Sequence, residues 1–324
     1  ILFGVFSSLA DDGIPLRYLA INVGNVELTC WESKLCKKDV VENIRSYIAT
    51  YLPDIIMFSE IYCEAQLIGT QQYGPVLPQG YNGTCHPSIN RYSGDVTEYN
   101  ADDSSHEHEC VAWNTKRVEL VEGSAKSVFG RNDDYGKKNC NYDFTAFSAM
   151  LKIDDRYNIT AVAVHPDSMD ADCRTYEIAQ YWELLANVSA ENDNISNLNV
   201  IIGGDWNAGK SCNLLGHCTE DIDQVQQPST FQINYQIGQH FDIYNDTTDQ
   251  PTAVYVDSIK WLDNEYSNFG SPCTSCGGFY GTMNLEYGSA VGGYNGMPRA
   301  DGGSGCDHRQ VLVDMWLTDE NTRT

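Results

Sequence analysis

Apolar runs of strand length alternate along the chain with polar, turn-rich stretches. Residues 16–23 (LRYLAINV) read as a buried strand. Residues 39–52 carry Val41, Ile44, Ile48 and Leu52 at the spacing of one helical face, and Pro53 stops that helix. An apolar strand follows at 54–60 (DIIMFSE). Residues 110–120 and 147–153 read as strands, and 158–165 (NITAVAVH) alternates before ending on a histidine. A second amphipathic helix is expected over 172–188, with Ile178, Trp182 and Leu185 on one face. Residues 199–203 (NVIIG) form a short buried strand leading into GDWN, and 254–261 and 310–316 are late strands. Residues 262–305 are rich in Gly, Ser, Asn and Tyr and read as a long, disulfide-pinned loop, a length uncommon unless the loop is functional.

Helices that follow strands in each half predict an α/β protein in which two packed sheets are flanked by helices. The 324 residues suit one large sandwich domain over 16–324, preceded by an apolar extension over 1–15. Heptads, internal repeats and low-complexity tracts are absent, and no apolar run approaches the roughly 18 residues that span a bilayer. The extension begins ILFGVF. It either packs on its own domain or docks into a neighbouring copy by strand addition, which would make residues 1–15 a self-association element.

Twelve cysteines change the picture. They are even in number and scattered, with a single CxxC at Cys273 and Cys276. This favours disulfides over a zinc site or free thiols. Spacing leaves the connectivity open, although Cys30–Cys36, Cys212–Cys218 and Cys273–Cys276 are plausible local loops. Five Asn-x-Ser/Thr sequons, at Asn82, Asn158, Asn187, Asn194 and Asn245, are expected to carry N-glycans. With no initiating Met, the chain reads as a mature secreted, extracellular glycoprotein. The net charge of -25 argues against binding nucleic acid by charge alone. Either divalent cations neutralise a carboxylate-lined site, or the acidity only keeps an extracellular protein soluble.

Polar residues recur at the ends of the apolar strands. Asn22 ends the first and Glu60 the second. His165 ends the alternating strand, Asp205 and Asn207 follow NVIIGG, and Asp307 and His308 precede the last strand. One charged residue at a strand end is usually a solvated edge. Seven such residues at five strand ends, all of types that bind metal or move protons, fit phosphodiester hydrolysis. That reaction needs a base for water, stabilisation of charge on phosphorus and help for the leaving oxygen. Hard divalent cations prefer Asp, Glu and Asn oxygens, and histidines held by carboxylates supply acid and base.

In order and sequence these motifs (AINVGN, PDIIMFSEIY, AVAVHPDS, GGDWNA and GCDHRQV) resemble the endonuclease/exonuclease/phosphatase superfamily over about residues 16–318. Within it they are most similar to secreted deoxyribonuclease I. The resemblance implies a four-layer α/β sandwich and a phosphodiesterase, most of all a DNA endonuclease, using Mg2+ and/or Ca2+, with Mn2+ as a further candidate. It implies that Asn22 and Glu60 hold the metal with Asp307 nearby, and that His165 and His308 act as general acid and base. Asp205 and Asn207 would orient water and phosphate or bind a second metal. Asp257, in YVDSIKW, resembles the carboxylate partner of a histidine, and Glu107 or, alternatively, Glu109 the second glutamate paired with the first histidine. The HEHE stretch lacks the HExxH spacing of a zinc helix.

The sequence departs from that family in the shell that grips DNA. Tyr62 stands where a minor-groove arginine is expected, Ala146 falls near the place of a phosphate-contacting arginine, and Ser105 replaces a tyrosine. Two further readings therefore accompany DNA hydrolysis. One is a sphingomyelinase-like phospholipid phosphodiesterase, for which the aromatic stretch 279–294 is the membrane-contact candidate. The other is an extracellular structural or filament-forming protein on the same fold, assembled through its N-terminus.

Overall fold

The computed structural model of the chain describes residues 14–22, 38–61, 67–69, 75–87, 108–130, 144–166, 177, 181, 199–206, 211–213, 218–219, 253–254, 258–260, 263–267, 271–272, 280–282 and 311–317. In chain order the elements are β1 (Ile14–Asn22), α1 (Lys38–Tyr51), β2 (Ile55–Ile61), β3 (Tyr81–Pro87), β4 (His108–Asn114), β5 (Val118–Leu120), β6 (Lys126–Gly130), β7 (Phe144–Ile153), β8 (Tyr157–Val164) and β9 (Val200–Asp205). Shorter strands follow: β10 (Ser211–Asn213), β11 (Cys218–Thr219), β12 (Ala253–Val254), β13 (Ser258–Lys260), β14 (Asp263–Ser267), β15 (Ser271–Pro272) and β16 (Tyr280–Thr282), before β17 (Val311–Leu317).

The first large sheet runs β15-β17-β1-β2-β4-β3, with β16 also paired to β17. The second runs β14-β9-β8-β7-β5, with β6 also paired to β7. A small sheet joins β11, β10, β13 and β12. Each large sheet is mixed and holds one parallel pair among its described strands, β1 with β2 and β8 with β9. Parallel neighbours need a crossover, and α1 supplies it between β1 and β2.

Burial on both faces explains why most of these strands are continuous apolar runs, and β8, expected to alternate, is buried throughout from Ile159 to Val164. Leu16, Tyr18, Ile55, Met57, Val111, Phe147, Ala149, Ile159, Ala161 and Ile201 pack between the two large sheets. On the opposite face of the first sheet, Leu19, Ile21, Ile56 and Phe58 pack against Ile44, Tyr47 and Ile48 of α1. The expected arrangement of two packed mixed sheets is thus observed, with α1 as one outer layer. The expected helix 172–188 lies outside the described residues except for Glu177 and Tyr181, both buried and in helical backbone.

Several local expectations are corrected. Leu52 is not on the buried face of α1: it takes a left-handed φ of 51° and is 56% exposed, while Tyr51 packs against the core. The helix ends with the Leu52 amide bonded to the Ile48 carbonyl, and the left-handed residue turns its side chain outward. Residues 110–120 are two strands rather than one, because the Asn114 side chain accepts a bond from the Lys116 amide and makes a turn. Residues 262–305 include β14, β15 and β16. These pair with β9 or β17 and so extend both large sheets.

β1 begins at Ile14, so Ile14 and Pro15 already pair with Leu317 and Trp316; residues 1–13 lie outside the described residues. A disulfide joins Cys85 to Cys110 across β3 and β4, and among the described residues no cysteine is free. The β10–β11 register sets Cys212 opposite Cys218. Asn82 and Asn158 are exposed on β3 and β8, whereas Asn187, Asn194 and Asn245 lie outside the described residues. Among the described residues, no helix is long and apolar enough to cross a membrane.

At one end the sheets are tied by charge. Arg117, in the β4–β5 turn, donates to both carboxylate oxygens of Asp54 at 2.9 Å, to Asp154 in the β7–β8 turn at 2.7 Å and to the Pro15 carbonyl at 3.0 Å. Arg17 donates to both oxygens of Asp314 on β17, at 2.6 and 2.9 Å, and to the Tyr51 carbonyl at 2.6 Å.

Candidate metal centre

The other end of the sandwich carries the candidate metal site. Asn22 and Glu60 come from the C-terminal ends of the parallel pair β1–β2. His165 and Asp205 come from the C-terminal ends of the parallel pair β8–β9. Both crossovers start here, and the ends of parallel strands in α/β sheets open a crevice into which side chains project.

Four side chains converge from the two sheets. The Asn22 amide donates to Glu60 Oε1 at 3.0 Å and to Asp205 Oδ2 at 2.9 Å. His165 Nε2 faces the same two oxygens, at 3.7 and 3.6 Å. Ligand atoms of Glu60, His165 and Asp205 all lie within 4.8 Å of one another. Asn22 and Asp205 are buried, while Glu60 and His165 keep 14% and 12% side-chain exposure toward solvent. Two carboxylates this close repel each other when ionised, and Asn22 and His165 set two nitrogens against that repulsion. A divalent cation is the stronger solution. The Glu60 and Asp205 carboxylate oxygens are hard donors suited to Mg2+ or Mn2+, and the His165 nitrogen beside them is a softer donor that is not needed for that task when the ion is held by oxygens. The residues present therefore fit a hard divalent ion.

Local backbone aims the ligands. The β2–β4 register shifts between Phe58 and Ile61, a bulge in which Glu60 takes a left-handed φ of 61°. A non-glycine residue held there costs about 1–2 kcal/mol and is retained where function requires the direction it gives. After Asp205, Trp206 is fully buried and meets the Tyr181 ring edge-on at 6.2 Å between centroids. Burial, with Glu177 and Glu109 close by, pushes the Tyr181 hydroxyl well above the usual tyrosine range.

Of the nine expected site residues, Asn22, Glu60, His165 and Asp205 are brought together here. Asn207, Glu107, Asp257, Asp307 and His308 lie outside the described residues. Asp205 stands with Glu60 and His165 in the candidate ligand group, alongside the water- or phosphate-orienting role expected of it. Glu109, the alternative to Glu107, is buried on β4 near Tyr181 rather than within that group. Ala146 is buried on β7 opposite Val164, a core position with no cation to offer. Tyr181 and its contact with Trp206 were not legible in the sequence, where Ile178, Trp182 and Leu185 define the helical face.

No family sequence profile matches the chain, and no curated protein matches it by sequence. Solved structures match it along nearly its whole length. An endonuclease/exonuclease/phosphatase family protein from Bacteroides thetaiotaomicron is 14% identical over 97% of this chain and 99% of its own, with a TM-score of 0.62. A mannosyl-6-phosphatase from the same organism is 14% identical over 93% of this chain and 99% of its own, with a TM-score of 0.59. The human Nocturnin catalytic domain, solved with a bound sulfate anion, is 15% identical over 94% of both chains, with a TM-score of 0.58. The fold of this chain is the endonuclease/exonuclease/phosphatase fold. Its particular likeness to deoxyribonuclease I is carried by the sequence motifs.

Proposed function

We propose that the chain is a divalent-metal-dependent phosphodiesterase, and that it is a secreted endonuclease acting on DNA. The observation that carries the reading is the convergence of Glu60, His165 and Asp205, held by Asn22, at the C-terminal ends of both parallel strand pairs. Structures with this fold include a mannosyl-6-phosphatase and a catalytic domain holding sulfate, a tetrahedral oxyanion of phosphate shape, which supports a phosphoester substrate.

Glu60 and Asp205, with Asn22 and Asp307, would hold Mg2+, Mn2+ or Ca2+. When bound, the ion supplies positive charge against the developing charge on the phosphoryl oxygens. His165, partly exposed beside the two carboxylates, takes or gives a proton at Nε2, and His308 is its counterpart on the opposite side of the scissile bond. Asp257 or Glu107 holds one imidazole in the required tautomer, and Asn207 orients phosphate or water. With a net charge of -25, the ion would also offset repulsion between the chain and a polyanion. The Cys85–Cys110 disulfide supports an oxidising, extracellular setting, and the exposed Asn82 and Asn158 support N-glycosylation.

Nicking of supercoiled plasmid in Mg2+, Ca2+ or Mn2+, beside a His165→Ala control and sphingomyelin vesicles, tests the reading. DNA hydrolysis that the control lacks is expected. Cleavage of the lipid alone would remove DNA and keep the reaction class. An inert chain on both substrates would bring the assembly reading through residues 1–15 forward.

A further inference from the structure

Three residues that each precede a member of the metal centre meet one another. Ser59 precedes Glu60, Val164 precedes His165 and Gly204 precedes Asp205. The Ser59 hydroxyl donates to the Val164 carbonyl at 3.2 Å in a buried bond that crosses from β2 of the first sheet to β8 of the second. Val164 and Gly204 are register partners on β8 and β9, and Ser59 is the register partner of Asn22 on β1. Gly204 has a φ of 147°, and a Cβ there would fall 2.1 Å from the Val164 carbonyl oxygen and 3.2 Å from Ser59 Oγ. Only glycine lets the β9 backbone approach the Val164 carbonyl and the Ser59 hydroxyl this closely.

Apolar packing between sheets is non-directional and fixes their separation without fixing a particular side chain. A hydrogen bond of defined length, closed on a carbonyl that also abuts a glycine, adds that missing distance. Glu60 is the residue most dependent on it, because its bulge is anchored by Ser59 on one side and by the Ile61–His108 pairing on the other. The geometry points to Ser59 as a positioning residue. With Gly204 it clamps the Val164 carbonyl and so sets the distances among Glu60, His165 and Asp205. This rests on the metal-centre reading above, and Ser59 itself touches neither metal nor substrate in it.

Mn2+ binding to the whole chain, read by electron paramagnetic resonance and titration calorimetry, tests the clamp. The proteins compared are wild type, Ser59→Ala, Ser148→Ala and Glu60→Gln, each with its melting temperature. Ser148 is a buried serine on β7 whose hydroxyl donates at 3.4 Å to the Lys126 carbonyl, away from the centre, so its loss matches Ser59 in kind. Ser59→Ala is expected to fold and to weaken Mn2+ binding about tenfold, the range seen when supports of metal ligands are removed. Ser148→Ala is expected to lower the melting temperature similarly and leave the affinity unchanged. Wild-type affinity in Ser59→Ala, or equal loss in both serine variants, overturns the positioning role while the metal centre stands. Equal Mn2+ binding by wild type and Glu60→Gln, or none by wild type, overturns the metal centre and the clamp with it.

Discussion

Asn22 and Asp205 are 183 residues apart in the chain, and the amide of the first donates a 2.9 Å hydrogen bond to the carboxylate of the second. That bond joins the end of β1 in one sheet to the end of β9 in the other. The same amide nitrogen also reaches Glu60, so one asparagine holds two carboxylates together. Removing it leaves those carboxylates without this donor in a largely buried site. Asn22→Ala is therefore expected to lower unfolding free energy by about 1–3 kcal/mol. Urea unfolding in the presence of a chelator measures this, and an unchanged midpoint would remove Asn22 from that role.

Four described non-glycine residues have a left-handed backbone: Asp154 and Asp155 in the β7–β8 turn, Leu52 at the end of α1 and Glu60 in the β2 bulge. The meanings of the last two differ. Leu52→Gly is expected to raise stability by up to about 1 kcal/mol with activity intact, since the exposed side chain has only a capping position to fill. Glu60→Gly relieves the same strain and removes a charge from the carboxylate pair, so its melting temperature should hold or rise while Mn2+ binding is lost. A large destabilisation by Glu60→Gly would show that Glu60 serves the fold rather than the site.

Arg117 holds the sheets at the end remote from the metal centre, where Asp54 and Asp154 share its guanidinium. Arg117→Met leaves Asp54 buried beside less compensating charge and is expected to cost roughly 2–4 kcal/mol, allowing for the partial exposure of the arginine. Hydrolysis per folded molecule should be unchanged. Denaturant unfolding alongside a rate normalised to folded protein separates the two effects.

Burial, opposed by Arg117, raises the Asp54 carboxyl from 3.8 to about 6. Between those values the folded chain holds a proton that the unfolded chain has released. The stability contributed by this group is present below about pH 4 and is lost as pH rises through 6. Relative to Asp54→Asn, wild type should lose up to about 3 kcal/mol between pH 4 and pH 7. Parallel stability curves for the two proteins across that range would contradict the shift.

Much of this was legible because each metal-centre residue follows an apolar run: Asn22 after LRYLAI, Glu60 after DIIMFS, His165 after NITAVAV and Asp205 after NVIIGG. Strand ends in a doubly buried sheet are where polar side chains can emerge, so pattern and chemistry pointed to one place. The rest depended on tertiary contacts. β14 (DNEYS) has little intrinsic strand preference and forms by pairing with β9. The outward turn of Leu52 is a backbone event that helical periodicity does not register. The Cys85–Cys110 bridge follows from the β3–β4 register, which spacing along the chain does not specify. Ser59 reads in the sequence as one small polar residue before a glutamate.

Hydrolysis of bis(p-nitrophenyl) phosphate tests the reaction class without presupposing DNA. It is measured in Mg2+ or Mn2+ and again after chelation, for wild type, His165→Ala and Glu60→Gln. Metal-dependent turnover is expected in wild type, abolished by the chelator and reduced about 10²–10⁴-fold by His165→Ala. Turnover that survives chelation, or that His165→Ala and Glu60→Gln leave at the wild-type rate, would contradict a metal-dependent phosphodiesterase centred on these residues.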